Sequence, residues 1–325
     1  MFKNSTNYSQ KYHSVALKYT SIAHSQNGIM ILGTSDGTFE VLSAKTMGQY
    51  SHRAHDDAIF VVVFNHDGTL FATGSRDNSA KVWAISDDGQ TVSCGATLDA
   101  SEYGVSSLAF NCNSTLLVAG GSSDEIATVW NISHRLYGQI VVSHATNIMA
   151  EGGNHIYSVG FHPTRPNIVA TGHSDGTIQL WDLSNETTDC MKSLIGHTFC
   201  VSTLAFLKDG SGLVSGSYDG TVKIWRCVVN DDTPPSFVQT IGTVNDGLPY
   251  DVAVRVNTVA IDHTTNVFAL GKSNGIIEFW NLSSDGTNST LIKTIRGTNE
   301  TIEDIVFSFG TFLLLGDREI QIIPQ

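Results

Sequence analysis

Positive charge is scarce in this 325-residue chain: 18 Lys and Arg stand against 31 Asp and Glu, a formal net charge of −13. A field of that sign disfavours non-specific contact with nucleic acid or an anionic membrane surface, and tilts association towards neutral or basic partners. Cysteine is scarce too. The five thiols, Cys94, Cys112, Cys190, Cys200 and Cys227, are odd in number and include no Cys-x-x-Cys pair, which fits free thiols in a reducing compartment rather than a disulfide or zinc framework. No apolar run approaches the ~18 residues that a membrane-spanning helix needs. Met1-Phe2-Lys3-Asn4-Ser5 opens no apolar leader. The expectation is a cytoplasmic or nuclear protein, in which triplets such as Asn113-Ser114-Thr115 and Asn288-Ser289-Thr290 are composition rather than glycosylation sites.

Catalytic constellations are missing as well. The 12 histidines invite a metal reading, but zinc needs about three or four convergent ligands with outer-shell support, and the closest pair is His52 and His55. His162-Pro163 reads as a structural turn. Serines lie near histidines throughout the chain, yet no Ser-His-Asp triad is assignable by role. Gly120-Gly121 belongs to a strand and its turn; it neither opens a helix nor completes a phosphate-binding pattern. The chain is expected to be no enzyme and to hold neither cofactor nor metal.

What the chain does have is repetition. Ala170-Thr171-Gly172-His173-Ser174-Asp175-Gly176-Thr177-Ile178-Gln179-Leu180-Trp181-Asp182 returns as Val214-Ser215-Gly216-Ser217-Tyr218-Asp219-Gly220-Thr221-Val222-Lys223-Ile224-Trp225. Throughout, a turn Asp or Asn is followed six residues later by a large apolar residue: Asp36/Leu42, Asp77/Trp83, Asp124/Trp130, Asp175/Trp181, Asp219/Trp225, Asn274/Trp280 and Asp317/Ile323. The closing residues are spaced 41, 47, 51, 44, 55 and 43 apart, near the period of about 40–45 residues at which four-stranded propeller blades repeat. A second marker, an inner strand resembling Val-x-Ser-Val-Ala-Phe, precedes the turn at 59–64, 105–110, 156–161, 201–206, 256–261 and 302–307, with 19–24 a weaker first copy. Each copy reads as period-2 strands bounded by Gly, Asn and Asp. The Asp-Gly turns supply the positive φ that tight hairpins need. The expected fold is all-β: one seven-bladed β-propeller of four-stranded antiparallel blades. Its repeat cores fall at about 15–53, 54–98, 99–143, 144–195, 196–241, 242–296 and 297–325.

These residues resemble the WD40 (β-transducin-like) family over essentially the whole chain. In that family a His, a Ser or Thr, the turn Asp and the Trp form a hydrogen-bonded tetrad. The resemblance assigns His55, Thr73, Asp77 and Trp83 to blade two, and His197, Ser215, Asp219 and Trp225 to blade five. Blade four keeps Thr171, Asp175 and Trp181 but has Gly152 where the His is expected; blade one closes with Leu42 and blade seven with Ile323. Some members that recruit substrates to cullin-type ubiquitin ligases carry an Arg two residues after the Trp-Asp pair. Here Ser184 follows Trp181-Asp182, and Ser86, Ser133, Val228 and Ser283 follow the other tryptophans, which argues against that role.

The resemblance also places partner contacts on one face of the ring, beside the start of each inner strand and just before each turn Asp. The chain's aromatic, cationic and polar residues there are Phe60, Arg76, His155, Tyr157, Tyr218, Arg255, Asn257 and Glu303. Aromatics and Arg dominate interface hot spots. Long loops at 145–154 and 242–254 are expected on that face, and an excursion at 230–235 on the opposite one. The expected function is a non-catalytic protein-interaction scaffold that binds a peptide or a subunit of a larger complex. Two alternatives stand behind it: an adaptor for a basic or phosphorylated peptide such as a histone tail or degron, and an enzyme with a site in the central channel.

Residues 1–14 precede the first inner strand, and the seventh copy ends two residues after its third strand. We expect residues 7–12 to add the outer strand of blade seven and so close the ring. Deleting residues 1–10 then bares a strand edge with unpaired N–H and C=O groups. The expected outcome is a lower melting temperature with aggregation; unchanged melting and solubility would count decisively against closure.

Overall fold

The fold is that of a computed structural model, which describes residues 18–121, 125–134, 139–150, 152, 154–185, 188, 190–226, 236–242, 253–262, 264–283, 286, 288–296, 301–308, 311–316 and 320–324. Among them the regular structure is strand, arranged in seven antiparallel sheets. Blade one is β1 (Tyr19–His24), β2 (Ile29–Thr34), β3 (Thr38–Ser43) and β4 (Gln49–Arg53). Blade two is β5 (Ile59–Phe64), β6 (Leu70–Ser75), β7 (Ser79–Ile85) and β8 (Val92–Asp99). Blade three is β9 (Val105–Phe110), β10 (Leu116–Gly121), β11 (Ile126–His134) and β12 (Ile140–Met149). Blade four is β13 (Ile156–Phe161), β14 (Ile168–His173), β15 (Ile178–Asp182) and β16 (Cys190–Leu194). Blade five is β17 (Val201–Phe206), β18 (Gly212–Ser217), β19 (Val222–Arg226) and β20 (Ser236–Ile241). Blade six is β21 (Val256–Asp262), β22 (Val267–Lys272), β23 (Ile276–Leu282) and β24 (Ser289–Arg296). Blade seven is β25 (Ile302–Ser308), β26 (Thr311–Gly316) and β27 (Ile320–Pro324). The closing strand expected of residues 7–12 lies outside the described residues, as do 243–252 and the excursion at 230–235.

The loop expected at 145–154 is half strand. β12 runs on to Met149, paired with β11, and Ala145 is the extra residue of a bulge facing Trp130. Ser143, His144 and Asn147 are exposed on this outer strand. Their polarity belongs to an edge rather than to a loop, and the two read alike in the letters.

Apolar side chains gather in seven wedges, each shared by two consecutive blades. One joins Phe39 and Val41 of blade one to Phe71 and Trp83 of blade two. The last joins Leu313, Leu315 and Ile320 of blade seven to Tyr19, Ile22 and Leu32 of blade one. The closing Trp of a blade always fills the wedge against the preceding blade. Trp83, for example, meets Phe39 edge-on at 5.0 Å and stacks with Phe71 at 5.9 Å. Leu42 and Ile323 occupy the corresponding wedges of blades one and seven, so those blades keep the packing and lose only the indole N–H. The outer strand answers the residue it faces. Opposite Trp83, Trp130, Trp181, Trp225 and Trp280 it carries an extra residue; opposite Leu42 it runs in register.

A second bulge recurs at the start of every inner strand. The second residue (Thr20, Phe60, Ser106, Tyr157, Ser202, Asn257 or Glu303) drops out of the ladder in all seven. A bulge leaves backbone groups unpaired and re-aims a side chain. Here the preceding blade takes up backbone groups at the bulge and just beyond it on the free edge of the inner strand. Thr20 donates to the Ile59 carbonyl, Ser158 to that of Val201 at 2.8 Å, Ser202 to Val256 at 2.6 Å and Asn257 to Ile302 at 3.0 Å. The Val62 N–H donates to Ser21 Oγ at 3.1 Å, that of Val159 to Ser107 Oγ at 3.0 Å, and that of Ile22 to Asp304 Oδ2 at 3.2 Å. Seven such groups left unpaired, at about 1–3 kcal/mol each, would rival the whole net stability of about 5–15 kcal/mol of a folded protein.

Consecutive inner strands touch all the way round, and β25 touches β1. At that seam a carboxylate takes the place that the hydroxyls of Ser21 and Ser107 hold at two others. Asp304 accepts from Ser21 Oγ (3.1 Å), the Ile22 N–H, Thr258 Oγ1 (3.3 Å) and the Ile305 N–H (2.9 Å). Burial outweighs these donors and pushes its carboxyl up to about 6. The unfolded chain therefore ionises Asp304 first as pH rises. Its stabilising contribution is complete below about 4 and is lost on the way to about 6. Asp304→Ser supplies the kind of hydroxyl that Ser21 and Ser107 provide at their seams. The difference in unfolding free energy between wild type and variant should move by about 2 kcal/mol in favour of the variant from pH 4 to 7. A pH-independent difference in denaturant titrations would refute this role.

Candidate functional site

The face that receives the inner-strand bulges is held by chains of hydrogen bonds. In blade two, Trp83 Nε1–H donates to Thr73 Oγ1 at 3.0 Å, the Thr73 hydroxyl to His55 Nε2 at 2.7 Å, and His55 Nδ1–H to Asp77 at 3.0 Å. In blade five, Trp225 meets Ser215 at 2.8 Å, Ser215 meets His197 at 2.8 Å, and His197 meets Asp219 at 2.9 Å. Every donor in these chains points the same way, which sets the tautomer of a neutral imidazole. Burial by itself raises Asp219. The His197 hydrogen bond, the Thr221 hydroxyl and the Thr198 N–H overcome it and bring the carboxyl down to about 2. Asp77 is likewise brought down to about 2, against burial, by Ser79 and the Asp56 N–H.

Blade four solves the same problem differently. Trp181 donates to Thr171 Oγ1 at 2.8 Å, and Thr171 bonds His173 Nε2 at 2.7 Å. The histidine therefore comes from β14 itself, where blades two and five have Ser75 and Ser217, and the vacancy expected from Gly152 is filled. Burial lowers His173 to about 4, keeping it neutral. Asn154 donates to Asp175 at 2.8 Å. In blade six Trp280 donates to Glu278 at 3.1 Å, and Glu278 pairs with Lys272. Gly172-His173-Ser174-Asp175-Gly176 spells a Gly-x-Ser-x-Gly pattern, but it closes a β-hairpin rather than a strand-to-helix elbow. Ser174 Oγ accepts the His155 N–H at 3.2 Å, and His173 is turned to Thr171. The letters carry no nucleophile here.

The eight residues expected at the partner face fall into three groups. Tyr157 and Tyr218 meet edge-on at 6.4 Å, and the Arg255 guanidinium lies over Tyr218 at 5.4 Å, so blades four, five and six share one half-exposed cluster. His155 stands next to Tyr157, half-buried, with Nδ1 enclosed. Phe60, 38% exposed, lies by Gly104 and Arg76 on blades two and three; Arg76 reaches Asp57 at 3.8 Å. Asn257 is spent on the seam with blade seven, and Glu303 pairs with Lys18 at 3.0 Å across the seam with blade one. At Phe60, Tyr157, Asn257 and Glu303 the inner-strand bulge re-aims the side chain, and it also sorts the bulge positions. Thr20, Ser106, Ser202 and Asn257 turn their polar atoms back onto backbone carbonyls. Phe60 and Tyr157 present rings.

Two residues not singled out from the sequence complete the face. The loop bearing His197 is built like the loop bearing His55. In each, the N–H after the His donates to the turn Asp at 3.0 Å, and Ser75 or Ser217 donates to the second carbonyl after the His, that of Asp57 or Phe199, at 3.0 Å. The flanking residues differ. Blade two exposes Arg53 and Asp57; blade five exposes Ile195 (76%) and Phe199 (48%) at the same places. Aligning the loops on their histidines would have found them.

Residues 48–84, 92–131, 147–182 and 188–226 match the family "WD domain, G-beta repeat". Each match runs from the outer strand of one blade to the closing Trp of the next. The crystal structure of RRP9 WD40 repeats superposes with a TM-score of 0.77 over 97% of this chain and 96% of that one, at 17% identity. The chain is a WD40-repeat protein folded as a seven-bladed propeller. It is 25% identical over 290 residues to the guanine nucleotide-binding protein subunit beta-like protein of Encephalitozoon cuniculi, covering 83% of this chain and 78% of that protein. It is 27% identical over 193 residues to Protein tipD of Dictyostelium discoideum, covering 59% of this chain and only 28% of that protein. Relatives of this kind fit a protein-interaction scaffold.

Asp219→Ala should lower unfolding free energy by about 1–3 kcal/mol, because the His197, Thr198 and Thr221 donors are left unpaired in a buried setting. Urea denaturation reads this directly. A loss below that of Asp77→Ala, whose site is less buried, would contradict the assignment.

Proposed function

We propose that this propeller is a non-catalytic scaffold that holds a peptide or a subunit of a multisubunit complex on the face carrying Phe60, Arg76, His155, Tyr157, Tyr218 and Arg255. The observation that carries the reading is the Tyr157–Tyr218–Arg255 cluster: three blades contribute two rings and a guanidinium to one half-exposed surface. Side chains of these types supply much binding area at small entropic cost and dominate measured hot spots. Asn257 and Glu303, already engaged at seams, serve the reading as supports for the face. The free cysteines and acidic balance fit a cytoplasmic or nuclear setting, with protein rather than nucleic acid or membrane as partner.

The test is affinity purification followed by titration of the recovered partner. Tyr157→Ala and Tyr218→Ala should each weaken it by about 2 kcal/mol, roughly thirtyfold, with little loss of folding stability. Leu291→Ser, on the outer strand of blade six, is the control. Equal affinity for wild type and both tyrosine variants would sink the reading.

A further inference from the structure

We propose that the β3–β4 hairpin of blade one, at the end of the ring opposite the aromatic face, is a second docking site, and that it takes a basic segment in which an aromatic side chain lies next to Lys or Arg. The site is separate from the face assigned above, and neither depends on the other.

Three outer hairpins supply the internal comparison. In blades one, two and six a Ser N–H closes the turn on the carbonyl five residues further on: Ser43 on Gly48 at 3.2 Å, Ser86 on Thr91 at 3.0 Å and Ser283 on Asn288 at 2.8 Å. A residue with positive φ lies inside each turn. Blades two and six place Gly89 and Gly286 there, at +74° and +67°, a region that glycine adopts without steric cost. Blade one places Met47 there, at +52°. With a Cβ that region is costly, and Asn tolerates it better, as at Asn78 and Asn266. Met47 is also 88% exposed, so burial within the chain does not offset the conformation. A single exposed apolar side chain needs no explanation. One held out by a disfavoured backbone does, and such outliers gather where a protein grips a ligand or partner.

The hairpin is a held turn. Ala44 N–H donates to the Gly28 carbonyl at 3.1 Å, which sets the hairpin beside the β1–β2 turn, at the far end of β1 from its bulge. Thr46 Oγ1 accepts the Gly48 N–H at 3.3 Å, and Lys45 Nζ donates to the Asp87 carbonyl at 2.9 Å. Tyr50 lays its ring over Gly48, where an added Cβ would come within 2.7 Å of it, and the ring stays partly exposed. One short turn thus offers a thioether and a phenol ring. A Met side chain is flexible and makes favourable contacts with aromatic rings, which selects an aromatic anchor on the partner.

Charge selects the neighbour of that anchor. Lys45 directs its ammonium to a backbone carbonyl of the adjoining blade-two hairpin. The Asp87 carboxylate is left exposed, with the Asn27 amide beside it at 3.4 Å. Asp88 follows, and exposed Asp67 stands on the next turn, whose Gly68 packs against Ser25 and Asn27. Three carboxylates against one Lys, on a chain of net charge −13, attract a basic segment and repel an acidic one.

The probe is a random-peptide phage library panned on the purified full chain after subtraction of sequences that bind Met47→Gly, with the consensus peptide then labelled and titrated. Wild type should enrich an aromatic residue beside Lys or Arg. Met47→Gly removes the thioether together with the disfavoured conformation. It should weaken the peptide about tenfold or more while melting no lower than wild type. Asp87→Lys should weaken it by at least as much, and added salt should lower the wild-type affinity. Tyr157→Ala and Tyr218→Ala should bind it as wild type does. No enrichment after subtraction, an acidic or uncharged consensus, or indifference to Asp87→Lys would overturn the proposal. So would a lower melting temperature for Met47→Gly, which would make the residue a support of the fold. Loss of the peptide in either tyrosine variant would overturn it as well, and would move that peptide to the aromatic face; every one of these results leaves the scaffold reading to its own titration.

Discussion

Seven inner strands surround the axis, and each begins with a bulge whose orphaned N–H or C=O is taken up, at the seams where the bonds are described, by the blade before it. That exchange turns a row of marginal sheets into a ring. A four-stranded blade buries one apolar flank only when its neighbour is present, and its bulge is satisfied only by the same neighbour. Packing and hydrogen bonding therefore demand the same partner. The seam between blades seven and one repeats the pattern with a carboxylate, so at ring closure a backbone N–H depends on an ionisable group.

The same bulges prepare the outer face. A residue squeezed out of the ladder points away from it, and what it does next depends only on its chemistry. Hydroxyls and an amide return to the backbone and strengthen the ring; Phe60 and Tyr157 present partly exposed rings instead. Ring stability and a partly exposed aromatic surface thus draw on one geometric device, with the side chain choosing between them.

The buried tetrads divide labour in a comparable way. Their bonds are nearly the same in blades two and five, while the residues they hold up to solvent are opposite in character: Arg and Asp in one, Ile and Phe in the other. A rigid support repeated round a ring lets each copy vary its surface without disturbing the rest. Blade four shows how tolerant the support is, since His173 enters from the strand instead of the loop and still completes the bond from Thr171.

Repetition made the ring legible in the letters. Turn Asp and closing apolar residue recur at fixed spacing because a hairpin and a wedge both impose distance along the chain. Local order of this kind needs no knowledge of partners across space, so the seven inner strands and the tetrad members were readable. The length of β12 was not, because polar letters on an outer strand resemble those of a loop. Nor was the origin of the blade-four histidine, since two positions along a strand and a loop far upstream reach the same point only after folding. How each outward residue is used was decided by tertiary structure for the same reason: Asn257, Glu303 and Tyr157 hold equivalent places in sequence, and only the neighbouring blade determines that the first two are bonded across seams while the Tyr157 ring meets Tyr218.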